Sequence, residues 1–197
     1  MTLILASASP RRRELLQAAG IPFTVQATDI PEVPAEGEAP RAFAERLARE
    51  KAQAIAHQHP QDAVMGADTV VVVNGLILGK PEDAADARRM LRMLSGKTHE
   101  VITAVCLIPP TQLATGHRPR ATAPDVRSES TQVTFAALTD ADIEFYVSTG
   151  EPMDKAGAYG IQGVASRWIP RIAGDYSNVV GLPVALVCRM LNEHGLL

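Results

Sequence analysis

The chain has 197 residues, a net charge of −3, 46% apolar residues and only 4% aromatic ones. That apolar share excludes a disordered chain and supplies a core, built mainly of Ala, Val, Leu and Ile, for one large domain or two packed lobes. The acidic balance argues against a nucleic-acid-binding face, and no apolar run is long enough to span a bilayer. The N-terminal MTLILASASPRRR sets its arginines after a short apolar run, opposite to a signal peptide, so a cytoplasmic protein is expected.

In chain order, Leu3 to Ala6 reads as a strand, Pro10 to Ala19 as a helix and Pro22 to Ala27 as a second strand. An acidic, proline-rich loop covers Asp29 to Ala39. A long helix then runs from Pro40 to His57, where His57 and His59 form a polar end. Ala63 to Val73 is a Val-rich strand closed by the hairpin signal Asn74-Gly75, and Leu76 to Leu78 pairs back on it. Ala87, Met90, Leu91 and Leu94 recur at helical spacing, which predicts an amphipathic helix over Asp83 to Ser95 ended by Gly96.

Val101 to Ile108 is a buried strand. The stretch from Pro109 to Glu129 has no periodicity and reads as a long, exposed, mobile loop. Ser130 to Ala136 is a strand, Thr139 caps a helix through Ser148, and the glycine-punctuated Lys155 to Gly163 precedes a strand near Trp168 to Ala173. The last helix, Leu182 to His194, carries Val184, Val187 and Leu191 on one face. Cys106 and Cys188 sit in apolar stretches without metal-ligand spacing and are expected as reduced core residues.

Five segments carry chemistry. In Ser7-Ala8-Ser9-Pro10-Arg11-Arg12-Arg13 a strand turns into a helix with Ser9 as N-cap and Pro10 at its first position. Three arginines there oppose a macrodipole of about +0.5 charge, a conflict that an anion relieves, so the hydroxyls, amides and guanidinium groups form a candidate phosphate cradle against the alternative of a solvated charge run. Lys51 falls on the face of Phe43, Leu47 and Ile55, where a lysine either snorkels out or meets an anion. Asp68, in Gly66-Ala67-Asp68-Thr69, precedes a run of valines and either caps a turn or acts as metal ligand and general base. Lys80 follows the hairpin beside Pro81. Gly157, Gly160 and Gly163 space a loop that lets backbone approach a flat ligand.

These pieces, together with the acidic Glu32 and the helix motif Arg46-Leu47-Ala48-Arg49-Glu50-Lys51, resemble the Maf family of nucleoside triphosphate pyrophosphatases in order and spacing from Leu3 to the final helix, with 109–129 as an insertion in a single 1–197 domain. The resemblance implies an α/β fold related to the inosine triphosphatases, an elongated mixed sheet flanked by helices with two lobes around a cleft, and a homodimer. It implies Asp68 as proton acceptor, Glu32 and Asp68 as ligands of a divalent cation (Mg²⁺ or Mn²⁺), and Ser7, Arg11, Arg12, Lys51 and Lys80 as the phosphate-binding set, to which the cradle read from the residues adds Ser9. Within the family, Arg12, Thr69 and Gln162 match a subgroup acting on dTTP and UTP, with modified pyrimidine triphosphates as further candidates. The implied reaction is metal-assisted attack of water at the α-phosphorus. Two other readings are a nucleotide-sensing protein linked to cell division, which needs no general base, and a nucleotidyltransferase, whose glycine-rich signature is absent where the chain reads Ala6-Ser7-Ala8-Ser9.

Overall fold

A computed structural model describes residues 2–110 and 123–197. The strands are β1 (Leu3–Ala6), β2 (Thr24–Val25), β3 (Ala63–Val73), β4 (Leu76–Leu78), β5 (Thr98–Ile108), β6 (Asp125–Thr134) and β7 (Arg171–Ala173). The helices are α1 (Pro10–Ala18), α2 (Pro40–Ala56), α3 (Ala84–Leu94), α4 (Asp140–Ser148), α5 (Tyr176–Val180) and α6 (Val184–Glu193). The strands make one sheet in the order β2-β1-β3-β5-β6-β7, with β4 paired to β3. It is mixed: β1 runs parallel to β2 and β3, whereas β3 with β4 and β6 with β7 are antiparallel. Among the described residues no helix is long and apolar enough to cross a membrane.

The chain divides into two compact units. The first comprises Met1–Asp68, Thr103–Glu129 and Gly181–Leu197. Its core joins Leu3 and Leu5 of β1, Leu16 of α1, Met65 of β3, Val105 and Leu107 of β5, and Val187, Met190 and Leu191 of α6. Parallel pairing makes β1 a central strand buried along its whole length, which is why Leu3-Ile4-Leu5-Ala6 reads as a continuous apolar run. From β1 the chain crosses to β2 on one side, and the adjacent β3 leads away on the other. A topological switch point therefore lies beyond the carboxyl ends of β1 and β3, where α/β sheets bind ligands.

The second unit comprises Thr69–Ile102 and Ser130–Val180. Asn74 and Gly75 both take positive φ, as the β3–β4 hairpin requires. The α3 helix buries the four residues expected of it, and Asp83 caps it by accepting from Asp86 N at 2.7 Å. Thr139 and Asp142 form a reciprocal capping box at the start of α4.

Several expectations are corrected. Only Thr24 and Val25 of the second strand pair, because both are exposed at the sheet edge. The β6 strand begins at Asp125 rather than Ser130; residues 125–130 are half-buried, and their polar composition hid the strand. Of the expected insertion at 109–129, residues 111–122 lie outside the described residues. Lys155 to Gly163 includes a 3₁₀ turn at Ala156–Ala158, following another at Glu151–Asp154, and α5 lies before the final helix.

In the second unit His99 of β5 is 2% exposed and shares a 2.8 Å hydrogen bond through Nε2 with the Tyr159 hydroxyl. The rings of His99, Phe135 and Tyr159 pack with centroids 4.9 to 5.5 Å apart. The buried Nδ1 has no hydrogen-bond partner, and burial pulls the imidazole from 6.5 down to about 4. Between those values the unfolded chain binds a proton that the fold refuses, so stability is full above pH 6.5 and falls as pH drops toward 4. The loss should amount to about 3 kcal/mol. Chemical denaturation of wild type and His99→Gln across that window should show this component only in wild type.

Candidate active site

At the end of β1 the chain passes through Ser7 into α1. Ser9 stands at the N-cap with Pro10 next, as the sequence predicts, but its hydroxyl makes no capping bond. The first turn holds no acidic residue to offset the helix dipole or Arg11, Arg12 and Arg13, so the end remains strongly positive. Ser7 is 6% exposed, and its Oγ accepts from Ser9 N at 3.3 Å and from Arg12 Nη1 at 3.1 Å.

Arg12 is equally buried. Its Nε donates to the Gly181 carbonyl at 2.8 Å and its Nη1 to the Ala67 carbonyl at 2.9 Å. One guanidinium thus ties α1 to the segment before α6 and to the residue preceding Asp68. Burial lowers its pKa, while Asp68 and Glu32 act in the opposite direction.

The centre of the site is an ion triad. Lys51 Nζ donates to Glu32 Oε1 and to Asp68 Oδ1, both at 2.6 Å. Lys51 and Asp68 are nearly buried, with side chains 10% and 7% exposed, and Glu32 is the outer member at 37%. The ammonium therefore does not snorkel; the anions it meets are two carboxylates of this chain. Asp68 caps no turn. Its carboxyl is pushed above the ordinary 3.8 chiefly by burial, with Lys51 and then Arg12 opposing. Among the described residues no group of three or more His, Cys, Asp or Glu could hold a metal, so a cation here would rest on two carboxylates plus ligand oxygens.

Two supporting features had weaker sequence signals. Gly66 lies directly under α2: a Cβ there would fall 2.7 Å from Ala52 N and nearer still to the Ala48 carbonyl oxygen. The absent side chain lets the helix approach β3 closely enough for Lys51 to reach Asp68, and a lone glycine within a strand pattern was the available clue. The Gly181 carbonyl had no sequence signal.

Thr69 directly follows Asp68 and is half-buried, whereas Lys80 and Gln162 are exposed; all three belong to the second unit. There the Gly157 amide donates to the Gly79 carbonyl at 2.9 Å, joining the glycine loop to the turn that carries Lys80. A Cβ on Gly157 would meet Val71, one on Gly160 would meet Lys155, and one on Gly163 would meet the Glu151 carboxylate, so at these glycines the backbone lies close against side chains of this protein. Glu151 also accepts from Tyr146 Oη at 2.9 Å and from Val164 N at 3.1 Å.

The Maf-like protein family matches residues 2–194. A dTTP/UTP pyrophosphatase of Koribacter versatilis is 54% identical over 197 residues, covering 100% of this chain and 96% of that one. A dTTP/UTP pyrophosphatase of Symbiobacterium thermophilum is 48% identical, covering 98% and 94%. Among solved structures, the Ham1 protein of Staphylococcus aureus shares the fold with a TM-score of 0.51 at 15% identity, covering 98% of this chain and 99% of that one.

The geometry sets two expectations. Lys51→Met removes the cation between two carboxylates and leaves Asp68 buried, which should destabilise the protein by about 3 kcal/mol. Adding Asp68→Asn should recover most of the loss in urea unfolding, and simple additivity of the two changes would dismiss the pairing. Gly66→Ala should cost about 1–3 kcal/mol by overpacking, visible as a lower Tm.

Proposed function

The chain belongs to the Maf-like protein family, and on that premise we propose that it hydrolyses dTTP and UTP, releasing pyrophosphate and leaving the nucleoside monophosphate. The observation that carries this reading is the convergence of Glu32 and Asp68 on the Lys51 ammonium, next to a positive helix end at the switch point of the sheet. A general base, a cation position and an anion cradle are the parts a triphosphate hydrolase needs.

Asp68 accepts the proton of a water whose oxygen attacks the α-phosphorus. The bond from that phosphorus to the bridging oxygen breaks, and pyrophosphate leaves with the electron pair. A nearly buried carboxylate beside an ammonium suits that role. Lys51 is neutralised by its two carboxylates and can turn its ammonium to a phosphate oxygen. Ser7, Ser9 and Arg11, at the positive end of α1, suit the negative phosphates, and Lys80 completes the set assigned to them.

A hard divalent cation, Mg²⁺ or Mn²⁺, fits the site because two carboxylate oxygens already meet one positive charge there. Bound to Glu32 and Asp68, it would neutralise charge on the phosphates.

Choice of base is assigned to Arg12, Thr69 and Gln162. The Gln162 carboxamide can pair with the uracil edge or, flipped, with that of cytosine, so it does not discriminate alone. Arg12 acts together with the carbonyls of Ala67 and Gly181 that it holds. A homodimer and a cytoplasmic setting accompany the reading.

Asp68→Asn keeps the shape of the side chain and loses the proton acceptor, so pyrophosphate release from dTTP should fall about 10²- to 10⁴-fold below the unfolding temperature, and the Tm should drop because the buried Lys51 ammonium loses one of its two carboxylates. Activity near wild type would remove Asp68 from the role. Release from dTTP and UTP with water as the only acceptor separates hydrolysis from nucleotidyl transfer and from binding alone.

A further inference from the structure

The helix motif Arg46-Leu47-Ala48-Arg49-Glu50-Lys51 gives its lysine to the ion triad, and the first of its two arginines binds a different carboxylate. Arg46 Nε donates to Glu38 Oε1 and Arg46 Nη2 to Glu38 Oε2, both at 2.8 Å, a fork meeting a fork. Nη2 also donates to the Val33 carbonyl at 3.1 Å, and Glu38 Oε2 accepts in turn from Ala35 N at 2.9 Å. On the helix side, Nη1 reaches Glu50 Oε1 at 3.2 Å and the guanidinium stacks 5.3 Å from the Phe43 ring.

Residues 26–39 contain no strand or helix, so the backbone at Glu32 has no ladder to hold it. The guanidinium of Arg46 grips the chain at Val33, the next residue, and through Glu38 at the far end of the segment. Its helix is the one that carries Lys51. An isolated exposed ion pair contributes little. This one is bidentate and networked, and its hydrogen bonds from Arg46 and Ala35 pull the Glu38 carboxyl down to about 2.

We propose that Arg46 and Glu38 are positioning residues: their pair fixes the segment Val33–Glu38 to α2 and so holds Glu32 against Lys51, within one ion's reach of Asp68. Glu32 is the member of the triad that needs this, being the most exposed and the one outside any regular element. The proposal rests on the hydrolase reading for its consequence in catalysis, and on geometry alone for its consequence in cation binding.

The test is a mutant cycle among Arg46→Met, Glu38→Gln, Glu32→Gln and the double variant Arg46→Met with Glu32→Gln. Three quantities are measured: kcat/KM for dTTP, the Kd for Mn²⁺ alone by titration calorimetry, and the Tm. Arg46→Met and Glu38→Gln should each weaken Mn²⁺ binding and lower kcat/KM by about 10- to 100-fold, as loss of an outer partner does. The double variant should be no worse than Glu32→Gln, because the clamp acts through that residue. Losses that multiply overturn the proposal, as does a lowered Tm with kcat/KM and Mn²⁺ affinity within about twofold of wild type. If Arg46→Met does not fold, Glu38→Gln carries the same cycle. A wild type that releases no pyrophosphate from dTTP or UTP sinks the hydrolase reading by itself; the Mn²⁺ cycle then decides the clamp, and a wild type that binds no Mn²⁺ overturns it.

Discussion

An ammonium and a carboxylate withdrawn from water tolerate each other only at contact distance, because desolvation of either ion without its partner costs several kcal/mol. The pair Lys51–Asp68 imposes that demand on the first unit. Lys51 reaches Asp68 because α2 lies directly on β3, and α2 lies there because residue 66 has no side chain. The carbonyl just before Asp68 is held by Arg12, whose own burial is sustained by hydrogen bonds to the Gly181 and Ala67 carbonyls and the Ser7 hydroxyl. Helix, strand and turn are thus fastened around one ionic contact.

Glu32, Asp68, Lys51 and Arg12 carry two charges of each sign. A balanced cluster can be buried, but it is not idle. Each carboxylate that turns toward a new cation releases part of the ammonium, and an arriving polyanion can take up what is released. The positive end of α1, which no acidic residue offsets, adds a field directed at such an anion. On the proposed reading, the stability of the fold and affinity for a charged ligand draw on the same groups.

Much of this was legible in the sequence. The elements β1, β3, β4, α3 and α4 declare themselves through apolar period, hairpin glycine and capping residues, since those signals are local. The residue types of the site were legible too, through a lysine on an apolar helix face and an aspartate before a valine run. What could not be read was which ions pair. Lys51 and Glu32 are 19 residues apart, Arg12 and Gly181 are 169 apart, and no periodicity encodes such meetings. The glycine loop meets the same limit: a missing Cβ announces close approach but not what approaches, and Val71, Lys155 and Glu151 lie where side chains would stand. The start of β6 was hidden because a half-buried strand of Asp, Arg, Ser and Glu has the composition of a loop.

Gly66 also limits how this sequence can drift over generations. The nearest obstructions to a side chain there are the carbonyl oxygen of residue 48 and the backbone nitrogen of residue 52, atoms that every amino acid brings with it. Trimming a neighbouring side chain makes no room, and Ala48 and Ala52 are already small and wholly buried. A lineage can exchange surface charges freely and repack its core by compensating pairs, yet at this position no partner mutation restores the fit. Descendants that keep the lysine on the aspartate must inherit the glycine with it.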